Sequence, residues 1–331
     1  MANSVSSAFK SFMSDIVNLD TTKTQQGRAS RDWLVDDKIT RFPINDDDFP
    51  ILHSDKKIYF GSFSRRTKIR ELDDIDVMII MSADSCVYYE SGETIYIAPR
   101  EGTDRLNKYL SDDKAYINSR KIIEKFKSSL KDVHQYSSAV INRRGEAATL
   151  KLISYEWNFD IVPSFITAAD DNGVTFYLIP DGNGNWKKTD PRIDKDRTTA
   201  INQKHDGKVL NVIRAIKYWQ KKNKLPELKS YLIETILLNY YDNTNSISSY
   251  LEDEIHVALN HLSIAILGDV SDHKNIQGNI NHLTWDERVV VFSAALADST
   301  LAKEAKDNEF TNTALAFKHW KEVFGNDFPD Y

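Results

Sequence analysis

The sequence predicts an α+β protein, with a mixed-sheet lobe over residues 1–190 that opens on a helix, and a helical lobe over residues 191–331. Three observations carry that prediction. Short apolar runs bounded by polar turns dominate from Lys57 to about residue 190. After Asp190-Pro191 the apolar residues recur at helical intervals almost throughout. No internal repeat, low-complexity tract or long linker is visible.

The first forty residues read as helical: Phe9, Phe12, Met13 and Ile16 share one stripe, and "RASRDWLVDDKIT" continues the pattern to Pro43. Strands are then expected in "KIYFGS", "IDVMIIM" and "ETIYIAP". "NSRKIIEKFKSSLKDV" reads as a helix, because Ile122, Ile123, Phe126 and Leu130 fall on one face. "QYSSAVINR" and "AATLKLISYEWNFDIVPSF" read as two further strands. "TFYLIPDGNGNWKKTDPR" reads as a strand, a Gly-Asn turn and a second strand. Asp190 has the chemistry of an N-cap with Pro191 at the first helical position. Helices follow in "GKVLNVIRAIKYWQKKNK", "LKSYLIETILLNYYD", "SSYLEDEIHVALNHLSIAIL" and "LTWDERVVVFSAALADSTLAKEA".

Composition narrows the function classes. With 331 residues, 41% of them hydrophobic, the chain has the apolar material for a substantial core. A net charge of −6 argues against a protein that coats a nucleic-acid backbone, so no long nucleic acid is expected as a partner. One cysteine, Cys86, cannot close an internal disulfide and reads as a buried, inert thiol in a reducing compartment. The N-terminus lacks the apolar core of a signal peptide, and the longest apolar run, "VVVFSAALA", is too short to span a bilayer. The expectation is a cytoplasmic protein with no membrane partner.

The chemistry concentrates in "YFGSFSRRTKIRELDDIDVMIIM". Side chains alternate across a strand, so Asp74 and Asp76 share a face while Ile75 and Val77 point to the other. Two carboxylates so placed repel unless a cation sits between them, and magnesium, which takes hard oxygen ligands and substrate phosphates together, suits the position. Gly61 permits close backbone approach, and Ser62 supplies a hydroxyl and an amide to phosphate oxygens. The bland alternative is a hairpin with an acidic loop. Asp160 is a lone acid in the apolar strand "WNFDIVPSF"; it needs either a metal or an ion pair with a lysine or arginine. Three acids on two strands suit a site for two metal ions.

The ordered set of an apolar-Gly61-Ser62 step, eleven intervening residues, Asp74-Ile75-Asp76-apolar and a later Asp160 resembles the signature of the DNA polymerase β-like nucleotidyltransferase superfamily. "FDIVPSF", "YLIPDGNGNWKKTDPR" and "AIKYWQKKN…LKSYLIETIL" narrow the resemblance, over roughly residues 20–300, to the bacterial cyclic-oligonucleotide synthases. These are the CD-NTases (cGAS/DncV-like, SMODS-type), relatives of cyclic GMP-AMP synthase and oligoadenylate synthase. The resemblance implies a polymerase β-like nucleotidyltransferase fold clasping a nucleoside triphosphate. It implies that Asp74 and Asp76 bind two Mg²⁺ ions, with Mn²⁺ able to substitute, and that Asp160 binds the catalytic one. Gly61 and Ser62 would hold the β- and γ-phosphates. Lys217 would reach the triphosphate, Ser230 would contact phosphate and Tyr231 would stack on the donor base.

Simpler roles stand beside these: Lys217 as a solvated surface lysine, Ser230 as a helix N-cap, Tyr231 as core. Trp186 is a packing residue or a pocket wall, and Arg65 and Arg66 either neutralise triphosphate charge or sit in an exposed loop. The implied activity is synthesis of a cyclic di- or trinucleotide messenger in antiphage (CBASS) signalling, from ATP and/or GTP, with pyrimidine nucleoside triphosphates as further candidates. Some relatives need a regulatory protein partner. The chain ends "NDFPDY", which departs from the small terminal residue that relatives regulated through their C-terminus often carry. Two readings compete: a template-independent or tRNA nucleotidyltransferase, which the acidic charge disfavours, and a nucleotide-binding module without chemistry, which would not need all three acids. A toxin-neutralising nucleotidyltransferase would tend to be shorter.

Overall fold

The computed structural model describes residues 4–153 and 155–331. In chain order the first elements are α1 (Val5–Phe12), α2 (Thr21–Asp32), α3 (Phe42–Asn45), β1 (Leu52–Tyr59), α4 (Gly61–Ser64) and β2 (Asp74–Met81). Then come β3 (Val87–Ser91), β4 (Thr94–Ala98), α5 (Ser119–Lys131), β5 (Val140–Arg144), β6 (Ala147–Lys151), β7 (Asn158–Ile166), β8 (Tyr177–Pro180) and β9 (Trp186–Thr189). The rest is helical: α6 (Pro191–Lys204), α7 (Val209–Lys222), α8 (Ser230–Asp242), α9 (Leu251–Ala265), α10 (Trp285–Asp307) and α11 (Thr313–Phe324). Two compact units result. One holds residues 22–64 and 72–192; the other holds the N-terminal residues up to Thr21, residues 65–71 and everything from Ile193 onward.

The first unit is built on a nine-stranded mixed sheet of order β1-β2-β7-β8-β9-β4-β3, with β6 pairing β7 and β5 beyond it. The β2–β7 pair is parallel, running from Asp74↔Asn158 to Met81↔Phe165. Along β7 the opposite edge is shared: its first half pairs with β6 and its end with β8. From Val77 to Met81 every residue of β2 is fully buried, as expected for a central strand covered on both faces. Asp74 and Asp76 precede that stretch and stay half-buried, each flanked by buried Ile75 or Val77. β7 repeats the device with half-buried Asp160 between Phe159 and Ile161, both at 0% exposure. The sheet therefore leaves a polar face at the beginning of its two parallel strands.

Two departures from the sequence reading belong to this unit. "AATLKLISYEWNFDIVPSF" is two strands, not one: β6 turns back against β7, pairing Ala148↔Ile161 and Lys151↔Asn158. Ser154, in the connection, lies outside the described residues. β3 was not expected; it is an exposed edge strand whose burial does not alternate, so the period-2 signal is missing. α5 appears as predicted, capped by the Asn118 side chain, with Ile122, Ile123, Phe126 and Leu130 at 0% exposure.

The second unit is a helical assembly. On α1, Phe9 meets Trp320 of α11 edge-on at 4.7 Å, and Phe12 meets Tyr218 of α7 edge-on at 5.1 Å. Such pairs contribute roughly 0.5–1.5 kcal/mol each beyond their burial. The segment 65–71 is tied in by backbone: Arg70 N donates to Val17 O, and the Arg70 guanidinium donates to the carbonyls of Asn18 and Ser14. α6 begins as the sequence suggested, with Asp190 accepting from Arg192 N at 3.0 Å and Pro191 at the first position. α11 is a helix for which "TALAFKHWKEVF" had not been singled out. Among the described residues no helix is long and apolar enough to cross a membrane.

Candidate active site

Parallel register brings the acids together. Asp76 on β2 is the direct partner of Asp160 on β7, so their Cα atoms stand one strand spacing apart, about 4.8 Å. Asp74 lies two residues earlier on the same face, opposite Asn158. Like charges placed so closely favour the binding of a cation. Asp160 is held from its other side: Thr149, its partner on β6, donates its hydroxyl to Oδ1 at 2.8 Å. Among the described residues no lysine or arginine pairs with Asp160, so the ion-pair reading of this lone acid is not realised.

Gly61 opens the short α4 in a left-handed conformation, with φ +71°. A Cβ there would lie 1.8 Å from Asp76 Oδ2 and 2.6 Å from Asp76 Cγ. The glycine thus lets the backbone press directly on the carboxylate, and Ser62 follows it, buried, in the same turn. The donor set is entirely oxygen, which suits a hard divalent cation. Among the described residues no three acids, histidines or cysteines are gathered closely enough to form a ready-made ion cluster. What the structure holds is a shared face, with Asp76 and Asp160 level on it.

The other residues singled out from the sequence lie in the helical unit. Lys217 on α7 is only 6% exposed, so it is not a solvated surface lysine. Its Nζ donates to Thr67 O at 2.9 Å and to Glu234 Oε1 at 3.1 Å. Ser230 is the first residue of α8; the cap position is Lys229, and no side chain caps the helix. Tyr231 is half-buried, and its hydroxyl meets Asp272 Oδ1 at 2.5 Å and Asp194 Oδ1 at 3.0 Å. Burial and the hydrogen bond to Asp272 push this phenol far above the ordinary tyrosine range, so it remains a neutral donor.

No family model matches the chain. A Bacillus cereus (strain VD146) protein named a probable cyclic nucleotide synthase is 40% identical over 333 residues, covering 100% of this chain and 99% of the relative. The chain belongs to the bacterial cyclic nucleotide synthases. It is therefore a nucleotidyltransferase, as the sequence reading expected. A cyclic AMP-AMP-AMP synthase from Escherichia coli (strain MS 115-1) is 25% identical over 340 residues, covering 96% of this chain and 95% of its own. The fold agrees: E. coli MS115-1 CdnC, solved with ATP, superimposes with a TM-score of 0.71 at 18% identity over 97% of this chain and 98% of that one. The same protein has been solved in a complex with HORMA-deltaN, at a TM-score of 0.70, 19% identity and 97% coverage of both chains. The polymerase β-like fold expected from the sequence is thus the fold observed.

Several side chains of the synthase resolve alternatives left open by its sequence. Trp186 is a packing residue: it is fully buried, 4.9 Å from the Phe165 ring, with Nε1 donating to Ile117 O. Arg65 is not in an exposed loop, because its Nε donates to Glu234 Oε2 at 2.8 Å and its side chain is 10% exposed. Arg66, with φ +63°, contributes its carbonyl to Arg214. Cys86 is half-buried and not buried as expected; the burial it has pushes its thiol up to about 11, which keeps it protonated at neutral pH.

Sequence reasoning missed Thr149 and Glu234. Thr149 carries a weak signal, a polar residue between buried Ala148 and Leu150 on a strand whose pairing was unknown. Glu234 carries a strong one: like Asp160 it is a lone acid in an apolar run, "SYLIETILLNYY". It is 1% exposed and accepts from Arg65, Thr67 and Lys217. Burial alone would raise its pKa, but Arg65 and Lys217 overcome that and hold it at about 2, below the ordinary 4.5.

A carboxylate depressed in the native state stabilises the fold above its unfolded pKa, and that contribution is lost as pH falls. Unfolding free energy is therefore expected to drop between about pH 4.5 and pH 2. Glu234→Gln should cost roughly 3–5 kcal/mol at pH 7, because it takes the shared carboxylate away from two buried cations. Urea unfolding at several pH values checks this, and the difference between variant and wild type should shrink toward pH 2. An equal difference at pH 7 and pH 2 would refute the assignment.

Proposed function

We propose that the synthase joins nucleoside triphosphates into a cyclic di- or trinucleotide in an Mg²⁺-dependent reaction that releases pyrophosphate. The observation that carries this is the register of β2 against β7, which sets Asp76 level with Asp160 and Asp74 on the same face, with Gly61 pressed against Asp76. In this reading Asp74, Asp76 and Asp160 are the residues that hold two Mg²⁺ ions, with Mn²⁺ able to replace them. Bound there, the ions supply a lowered hydroxyl pKa and stabilisation of the charge on the leaving pyrophosphate.

The protein's own part is placement. A 3′- or 2′-hydroxyl oxygen must reach the α-phosphorus in line, forming one P–O bond as the bond to pyrophosphate breaks. Thr149, by engaging Asp160 Oδ1, fixes that carboxylate's orientation and leaves Oδ2 outside that bond. Gly61 and Ser62 serve the β- and γ-phosphates from backbone and hydroxyl donors, Ser230 adds a polar contact to phosphate, and Tyr231 stacks on the donor base; Lys217, its Nζ held by Thr67 O and Glu234, favours the triphosphate through its charge and not by direct contact. The linear intermediate is then joined a second time to close the ring.

ATP and/or GTP are the proposed substrates, and the product is proposed to act as a second messenger in antiphage (CBASS) signalling in the cytoplasm. The likeness to CdnC, solved in complex with HORMA-deltaN, supports a regulatory protein partner. The test is incubation with all four nucleoside triphosphates and Mg²⁺, phosphatase treatment and mass analysis of what survives. Small phosphatase-resistant products that vanish in an Asp74→Ala, Asp76→Ala double variant are expected. Purely linear, phosphatase-sensitive oligomers, or triphosphate binding without turnover even with the regulatory partner present, would overturn the proposal.

A further inference from the structure

Three separate segments of the helical unit converge on one phenol. Lys274 Nζ meets the Tyr231 hydroxyl at 2.5 Å and lies 4.1 Å from its ring centroid. The same ammonium bridges Asp194, at 2.9 and 3.0 Å, and Asp272, at 3.1 Å. Both are deeply buried, with the Lys274 side chain 2% exposed and that of Asp272 fully enclosed. Asp272 is itself fixed by its loop: Oδ2 accepts Ile276 N and Gln277 N at 3.1 Å each, which leaves Oδ1 for Tyr231 and Lys274. Asp194 comes from the first turn of α6.

A buried ammonium held by two carboxylates is costly to assemble and strongly directional once formed. A tyrosine that merely fills core needs one partner for its hydroxyl; this one is gripped by an ammonium and two carboxylates. We propose that Asp194, Asp272 and Lys274 are positioning residues that lock the Tyr231 ring into the one orientation in which it receives a nucleobase. The inference rests on the reading of Tyr231 as the base-stacking residue. It adds that the stack is preorganised by a charged clamp reaching across α6, α8 and the 272–278 loop, so that little ordering remains to be done on binding.

Equilibrium binding of the non-hydrolysable α,β-methylene analogues of ATP, GTP, CTP and UTP tests it in four variants. Tyr231→Ala removes the ring and is expected to weaken the preferred analogue by well over tenfold. Tyr231→Phe keeps the ring and removes only the tether, and should weaken it roughly fivefold to tenfold. Lys274→Met should match Tyr231→Phe, and the Tyr231→Phe, Lys274→Met double variant should bind no more weakly than either alone, since both cut one tether.

If Tyr231→Ala weakens binding but Tyr231→Phe leaves it unchanged, the clamp has no positioning role and the proposal falls, while the stacking role survives. Unchanged binding in Tyr231→Ala removes the stacking role, and the clamp proposal with it. Additive losses in the double variant would also overturn it, because a general structural role, unlike a shared tether, gives additive effects. Should Lys274→Met fail to fold, the two Tyr231 variants still decide the matter.

Discussion

Asp76→Asn is expected to reduce cyclic product formation on the order of a thousandfold, about 4 kcal/mol of transition-state stabilisation, while leaving the fold intact. Asp76 holds the level position beside Asp160 on adjacent parallel strands, with buried Ile75 and Val77 on either side of it in sequence. The asparagine keeps the shape and the half-burial but removes the charge that a hard cation requires. Because two like charges one strand spacing apart repel, relief of that repulsion offsets the loss of Asp76's own polar interactions, and thermal stability should change little, the usual signature of a residue kept for function.

Thr149→Val provides the graded comparison. It deletes the hydroxyl that orients Asp160 and keeps the β-branched shape, so the Mg²⁺ concentration for half-maximal rate should rise by roughly tenfold to a hundredfold. Mass-resolved product assays with an Mg²⁺ titration, alongside thermal melts, measure all of this. Asp76→Asn activity within tenfold of wild type would sink the assignment of the acids.

Gly61→Ala should be nearly as damaging, for a steric reason. The added methyl would sit 1.8 Å from Asp76 Oδ2 and 3.1 Å from Asp76 Cβ, so the carboxylate has to swing away from the face it shares with Asp160. The residue also needs φ +71°, which costs a non-glycine residue roughly 1–3 kcal/mol. Expected together are a loss of about 2 kcal/mol of stability and a fall in activity on the order of a hundredfold to a thousandfold, since misplaced catalytic groups cost this much. The clash can be separated from the backbone strain by repeating Gly61→Ala in an Asp76→Ala background. There the stability cost should shrink toward the strain contribution alone, with no recovery of activity. A Gly61→Ala protein as active as wild type would show that the close approach of backbone and carboxylate is incidental.

Much of the site was legible from one dimension because the signals were local. Alternation along "DDIDVMII" placed Asp74 and Asp76 on one face, and a lone acid in "NFDIVPSF" singled out Asp160. α5, β8, β9 and the start of α6 were likewise announced by stripe, turn and cap chemistry carried within a few residues. β3 escaped because an exposed edge strand has no buried face to impose a period. The split of β6 from β7 escaped because a long apolar run does not report where the chain reverses.

The sequence by itself determined the identity of the acids, their shared strand faces, the turn glycine and the change from sheet to helices at Asp190-Pro191. These follow from the period of the backbone and from the chemistry of single residues. Tertiary structure alone decided the rest: that β2 runs parallel to β7 in a register that sets Asp76 beside Asp160, and that Thr149 from a third strand holds Asp160. It also decided that residues 65–71 and the first helix pack with the C-terminal helices. Lys217 is buried against Glu234 and Tyr231 is clamped by Lys274 for the same reason. Strand register and the pairing of buried charges are contacts between residues far apart in the chain. Their energies depend on burial and distance, and neither is encoded in any short stretch of sequence.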